Sequence, residues 1–184
     1  PALPGERRYR ERGALGQHEV VARFVERVEE YGGRVVSTDA PVSAIADLIH
    51  GLAMAAPRDL PAELRPPGAA LVEDDGLSAH ELDALDGALT TCACACADTG
   101  TIALTGGRGE GRRALTLVPA LHVCVVRRDQ IVETVPELFA LLEPAARDGR
   151  PIVLVSGPSA TSDIELERVE GVHGPRTLVV VLAG

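Results

Sequence analysis

The stretch Thr177-Leu178-Val179-Val180-Val181-Leu182 decides the fold, together with Ile152-Val153-Leu154-Val155. Both runs are almost entirely apolar and rich in β-branched residues, which favour extended backbone. A strand that buries one face alternates apolar and polar residues, whereas an unbroken apolar run is typical of a parallel strand covered on both faces. The two runs therefore predict buried strands of a parallel sheet with helices on each side.

The remainder of the chain alternates between helical and extended patterns. Residues 17–31 place Val20, Phe24 and Val28 at helical spacing, and Gly32-Gly33 ends that helix. Further strands are predicted at 34–37, 69–72, 89–105 with a break at 98–100, 114–118 and 122–126, and further helices from Pro41 through Leu52, from the capping box Ser78–Glu81, and over 132–146. Residues 56–69, rich in proline, predict a surface connection. The fold class is therefore α/β, with a largely parallel central sheet flanked by helices.

The domain organisation follows from composition. Residues 1–16 combine Pro, Gly and Arg and cannot bury much apolar surface, so we expect an N-terminal arm that wraps the surface or frays. Residues 17–184 are predicted to form a single α/β domain. That length suffices for an ordinary hydrophobic core without a disulfide or a structural metal.

Composition also excludes several classes of function. The 184 residues have a net charge of −9, contain no lysine and are only 2% aromatic. Nucleic acid is therefore not an expected partner, and the chain has no lysine for a Schiff base or a phosphate-binding Walker motif. No apolar run approaches the roughly 20 residues of a membrane span. Four cysteines and no apolar leader favour a reducing cytoplasm as the location.

Cys92, Cys94 and Cys96 invite a metal-site interpretation, but their spacing argues against it. On a strand these residues share one face at intervals of roughly 6.6 Å, whereas compact metal sites draw paired ligands from C-x-x-C turns. We expect them to pack as small apolar residues, as we do His122 and Cys124 on another strand. No metal site and no cofactor are predicted in this chain.

Two loops carry the side chains best suited to chemistry. In 171–176, His173 is a candidate general acid or base and Arg176 a candidate clamp for a carboxylate, with a glycine-rich turn as the alternative. In 156–165, serine and threonine hydroxyls and Asp163 either bind a ligand or cap a short helix. Both loops are expected to follow strands, and α/β sheets bind ligands at the carboxyl ends of their strands. The arginine-bearing loop 106–113 either closes over an anion or is mobile.

Those same two segments resemble the signature of the lactate utilization protein C family, also called the LUD domain. The first reads Ser156-Gly157-Pro158-Ser159-Ala160-Thr161-Ser162-Asp163-Ile164-Glu165 and the second Gly171-Val172-His173-Gly174-Pro175-Arg176. Ala97-Asp98-Thr99-Gly100-Thr101 is similar to an upstream element of that family, and the resemblance covers about residues 89–182. It implies a fold like that of the NagB/RpiA/CoA transferase-like superfamily. The positions that it marks fall into two groups. The candidate catalytic residues are Asp163, His173 and Arg176, and the candidate ligand-binding residues are Thr99, Gly100, Thr101, Ser156, Gly157, Ser159, Thr161 and Gly174.

The resemblance implies a subunit that helps oxidise L-lactate to pyruvate in bacteria, beside two partners that hold iron–sulfur clusters and transfer electrons. The resemblance thus implies a non-autonomous component rather than a complete enzyme, with a small carboxylate as its candidate ligand. An alternative is a free-standing enzyme of the same superfamily, such as a phosphosugar isomerase or an ATP-dependent folate cyclo-ligase. A third reading is an adaptor whose motif loops only shape a protein interface.

Overall fold

The computed structural model describes residues 12–161, 169–170 and 174–184. Within these ranges the helices are α1 Gln17–Glu30, α2 Pro41–Leu48, α3 Ala79–Asp83 and α4 Val135–Arg147. The strands are β1 Arg34–Thr38, β2 Ala53–Pro57, β3 Ala70–Asp74, β4 Gly87–Thr91, β5 Cys94–Cys96, β6 Thr101–Leu104, β7 Leu121–Arg127, β8 Ile131–Val132, β9 Val153–Val155, β10 Ala160–Thr161, β11 Val169–Glu170 and β12 Thr177–Ala183.

Six strands form an all-parallel central sheet in the order β1-β12-β7-β4-β2-β3. Strand β12 lies between β1 and β7. It pairs with β7 along its whole length and with β1 from Val179 to Ala183. Its side chains from Val180 to Leu182 are fully buried. The predicted fold class, α/β with a parallel central sheet flanked by helices, is confirmed.

The unbroken apolar run of β12 is explained by a core on each face of the sheet. Leu178, Val180 and Leu182 pack with Phe24 of α1 and its neighbours. Val179, Val181 and Ala183 point the other way and pack with Ile45 of α2 and its neighbours. Successive side chains of a strand point to opposite faces, so both sets must be apolar when both faces are covered.

A second sheet has four strands in the order β8-β5-β6-β9. The prediction that 152–155 is a buried parallel strand is wrong, because β9 pairs antiparallel with β6 at the end of this sheet. Leu154 is 46% exposed. An apolar run therefore does not distinguish an edge strand with one open face from a central one.

The helix predictions were correct in several particulars. Val20, Phe24 and Val28 form the buried face of α1, and Pro41 occupies the first turn of α2. Ser78 and Glu81 form the expected capping box of α3. No helix in the described ranges is both long enough and apolar enough to cross a bilayer.

Two segments differ from the sequence prediction. Residues 53–57 form β2, an inner strand of the central sheet, although their alanines and Pro57 gave no strand signal. The predicted strand at 114–118 is instead a 3-10 turn over Arg113–Thr116. Leu115 packs there against Leu82 and other buried residues. The apolar residues that suggested a strand are thus buried in part by a single turn, through Leu115.

The four cysteines are all free and buried, in two different cores. Cys92 and Cys124 lie in the core beneath α1, whereas Cys94 and Cys96 pack against Leu138 and its neighbours of α4. The expectation that Cys92, Cys94 and Cys96 share one face is therefore wrong for Cys92, which lies beyond the end of β4. Their packing as small apolar residues agrees with the prediction.

Candidate functional site

Three predicted site residues from distant parts of the chain form a chain of hydroxyl groups. Thr99 Oγ1 lies 2.7 Å from Thr101 Oγ1, which lies 2.8 Å from Ser156 Oγ. The register of β6 with β9 explains this meeting, because it pairs Ile102 with Val155 and so places Thr101 beside Ser156. The structure thus brings the upstream element and the first motif together. We call the surface formed by Thr99–Thr101, Ser156–Ser159 and Gly174–Arg176 the motif face.

Two glycines of the motif face are required by close contact with α1 and with Tyr31, the residue that caps its carboxyl end. Gly100 has a φ of +58°, and a Cβ there would lie 2.8 Å from the backbone carbonyl carbon of Arg27. Gly157 has a φ of +81°, and a Cβ there would lie 2.6 Å from the carbonyl oxygen of Tyr31. Left-handed backbone disfavours any residue with a Cβ. These two motif positions therefore seat the loops against the helix.

The second motif reaches the same surface through its last residues. Ser159 donates its backbone N–H to the carbonyl of Pro175 at 2.8 Å. Gly174 lies against the Ser159 side chain, and Arg176 is exposed. In sequence the segment 171–176 follows the short strand β11, as expected, but its described residues 174–176 lie at the amino end of the central strand β12 rather than at the carboxyl end of a central strand.

The structure describes the remaining predicted site residues only in part or not at all. Asp163 and His173 belong to the ranges that the structure does not describe. Thr161 is described only in its backbone, which pairs with Val169 in the short hairpin of β10 and β11. The catalytic role of His173, Arg176 and Asp163 therefore stays a prediction.

A cleft of about 360 Å³ adjoins the motif face. Thr116 connects the cleft to the motif face, because it lines the cleft and its carbonyl oxygen lies about 4.0 Å from the point that a Cβ on Gly174 would occupy. We call this the motif cleft. Three arginines contribute to its lining, and so do two acidic residues and several apolar and hydroxyl groups: Arg112, Arg113 and Arg150, with Asp59 and Glu110, and with Leu104, Thr105, Thr116 and Val153 among the rest.

Glu110 is a buried carboxyl group in the lining of the motif cleft. Its side chain is 5% exposed and accepts a hydrogen bond from the Thr105 backbone N–H. Burial raises the pKa of Glu110 above its usual value, partly offset by the hydrogen bonds that it accepts. A carboxyl group with a raised pKa in a cleft is suited to exchange a proton with a ligand.

Arg113 supplies the complementary charge in the motif cleft. Its Nη1 donates to the carbonyl oxygen of Thr116 at 3.1 Å and to Thr116 Oγ1 at 3.0 Å, which fixes its position. Among the described residues no carboxylate forms an ion pair with it. A positioned guanidinium of this kind is a suitable ligand for a carboxylate.

A second cleft, of about 500 Å³, lies at the carboxyl ends of the central strands. We call it the carboxyl-edge cleft. Arg108 belongs to the loop 106–113, for which the sequence predicts either closure over an anion or mobility, whereas the sequence did not indicate Arg127 and Gln130. The available signal was the position of Arg127 directly after the strand predicted at 122–126, with Gln130 in the turn that follows, since α/β sheets bind ligands at the carboxyl ends of their strands.

The fold and these sites define an α/β domain with a parallel sheet, a motif face and two arginine-bearing clefts. The sequence model of the LUD domain matches residues 17–183, and the chain belongs to this family. It is 42% identical over 174 residues to "Lactate utilization protein C" of Deinococcus radiodurans, covering 92% of this chain and 82% of that protein. The Macrococcus caseolyticus protein of the same name is 35% identical over 91 residues, 46% of this chain and 39% of its own length.

A solved structure is similar to the whole fold. The crystal structure of a DUF162 family protein from Deinococcus radiodurans matches with a TM-score of 0.82 and 35% identity. The match covers 93% of this chain and all of that one. Family membership and fold class were therefore both predicted correctly from the sequence, and the relatives' names support a role in lactate utilization.

Proposed function

We propose that this chain is a cytoplasmic subunit of a bacterial system that oxidises L-lactate to pyruvate, acting beside two iron–sulfur or electron-transfer partner proteins. The observation that carries the proposal is the 42% identity, over most of both chains, to a protein named for lactate utilization. Oxidation of lactate releases an electron pair and protons. In this proposal the partners' clusters receive the electrons, and this chain positions the small carboxylate.

The motif face and motif cleft are where that carboxylate would be held. Arg176 is exposed and Arg113 is fixed by Thr116, so each has a guanidinium available for a carboxylate. The hydroxyl chain Thr99–Thr101–Ser156 supplies donors and acceptors that suit a 2-hydroxy acid. His173 and Glu110 are the proposed groups for proton transfer.

The first experiment is co-purification of the tagged chain from its own cells grown with L-lactate as carbon source. We expect iron-containing partner proteins in the eluate, together with lactate-dependent reduction of an artificial electron acceptor. Cells grown without lactate provide the comparison. A lone, iron-free chain that does not oxidise lactate in either case contradicts the proposal and favours a free-standing enzyme.

Variants locate the site within the assembled complex. Arg176→Ala and His173→Ala should each lower lactate oxidation at least about tenfold while partners still co-purify, since a charged contact contributes about 1.5–3 kcal/mol. Arg147→Ala is the matched control, because Arg147 is an exposed residue of α4 that pairs with Glu143. Normal activity in both motif variants refutes the assignment of the site.

A further inference from the structure

The carboxyl-edge cleft lies at a point where the strand connections diverge. The connection leaving β2 leads outward to β3, whereas the connection leaving β4 leads the other way to β7. The cleft is lined from these strand ends: Pro61 and Leu64 follow β2, Thr91 and Cys92 come at the end of β4, and Arg127 ends β7. Open α/β sheets bind their ligands at such switch points, outside the carboxyl ends of the strands.

The charges of this cleft favour an anion. Arg108 and Arg127 line it against one acidic residue, the exposed Glu63. Within the described part of the chain, Arg108 has no ion-pair partner. Arg127 pairs with Asp129 at 2.9 Å, and both side chains are more than half exposed. Such surface pairs are weak, so a ligand can replace Asp129 at little cost.

The backbone that carries Arg108 is fixed to the cleft rather than free. Thr91 donates its N–H to the Gly109 carbonyl at 2.8 Å and its hydroxyl to the Arg108 carbonyl at 3.2 Å. Asp59 accepts the Gly109 N–H at 3.1 Å. Gly109 has a φ of +75°, and a Cβ there would lie 2.7 Å from Thr91 Oγ1. An arginine on a loop held this way loses less freedom on binding than one on a mobile loop.

The rest of the lining is mostly apolar and indicates the size of the ligand. Pro41, Pro61, Leu64, Val125 and Ala183 contribute apolar surface, and the volume of about 500 Å³ is in the range of clefts that enclose metabolites with a sizeable organic body. We propose that the carboxyl-edge cleft binds an organic anion whose phosphate or carboxylate group is held by Arg108 and Arg127. This site is separate from the motif face and does not depend on lactate oxidation.

The test is an NMR titration of the ¹⁵N-labelled full chain with four probes: inorganic phosphate, adenosine monophosphate, pyruvate and hexanoate. We expect adenosine monophosphate or hexanoate to shift the backbone amide signals of Thr91, Cys92 and Ala183 more strongly than the small anions do. A response to the nucleotide identifies a phosphate ligand, and a response to hexanoate identifies a carboxylate.

Variants then test the two arginines. Arg108→Ala should weaken the responding probe about tenfold or more, and Arg127→Ala should weaken it in the same direction. Arg147→Ala should bind like the unmodified chain, and circular dichroism verifies that each variant is folded. The proposal is overturned if no probe shifts these signals at millimolar concentration, if inorganic phosphate binds as well as the nucleotide, or if Arg108→Ala leaves affinity unchanged.

Discussion

Replacing Gly100 by alanine tests whether this motif glycine is required by its contact with α1. The new Cβ would lie 2.8 Å from the Arg27 carbonyl carbon and 2.9 Å from the Val28 nitrogen, both backbone atoms of a helix. No side-chain rotation relieves that overlap, and crowding of this kind costs about 1–3 kcal/mol. The positive φ adds about 1–2 kcal/mol. We therefore expect Gly100→Ala to lower the free energy of unfolding by about 3 kcal/mol.

Gly76→Ala separates the two contributions. Gly76 has a φ of +88°, but a Cβ there would meet nothing within 4 Å. This control should lose only about 1 kcal/mol, the cost of the backbone conformation. Both free energies come from urea unfolding followed by circular dichroism. If the two variants differ by less than about 0.5 kcal/mol, the contact with α1 does not explain the glycine.

Three further changes address the buried polar groups. Thr101→Val interrupts the hydroxyl chain and should lower the free energy of unfolding in urea by about 1 kcal/mol. Thr177→Val, at an exposed position, should leave this free energy nearly unchanged. Glu133→Ala removes a buried carboxylate that accepts hydrogen bonds from two backbone N–H groups of the N-terminal arm. We expect the free energy of unfolding to fall by about 2 kcal/mol and residues 12–16 to be cleaved faster by a protease. Glu143→Ala, at an exposed position, should show neither effect. Burial raises the pKa of Glu110, so the folded state binds the carboxyl proton of Glu110 more tightly than the unfolded state does. The contribution of Glu110 to stability therefore falls as pH rises from the unfolded pKa of about 4.3 through the raised folded value. Glu110→Gln should therefore gain stability relative to the unmodified chain as pH rises through that window, and a pH-independent difference in urea midpoint would refute the shift.

The periodic parts of the fold could be predicted from the sequence. Val20, Phe24 and Val28 form one apolar stripe along α1, and an amphipathic helix packs such a stripe against the protein core. The apolar runs at 152–155 and 177–182 show that the position of a strand within a sheet is not predicted by its own sequence. Both are apolar, yet one lies at a sheet edge and the other at the centre, because strand position depends on pairing partners distant in sequence.

The candidate site was predictable only in part for the same reason. The motif residues Thr101 and Ser156 could be identified individually, but their contact depends on the register of β6 with β9. Arg113 was predicted on a loop that closes over an anion or is mobile, and only the 3-10 turn shows that Thr116 fixes it. Glu110 gave no signal, because its burial results from tertiary packing.

The placement of β12 has a consequence for synthesis on the ribosome. Among the strands that the structure describes, β1 pairs with β12 alone, although more than 130 residues separate the two in the sequence. While the intervening chain is being made, β1 and β7 have an open edge where β12 will later insert. Unpaired strand edges promote association with other chains. The nascent protein therefore passes through a long interval in which chaperones that shield strand edges should increase its yield.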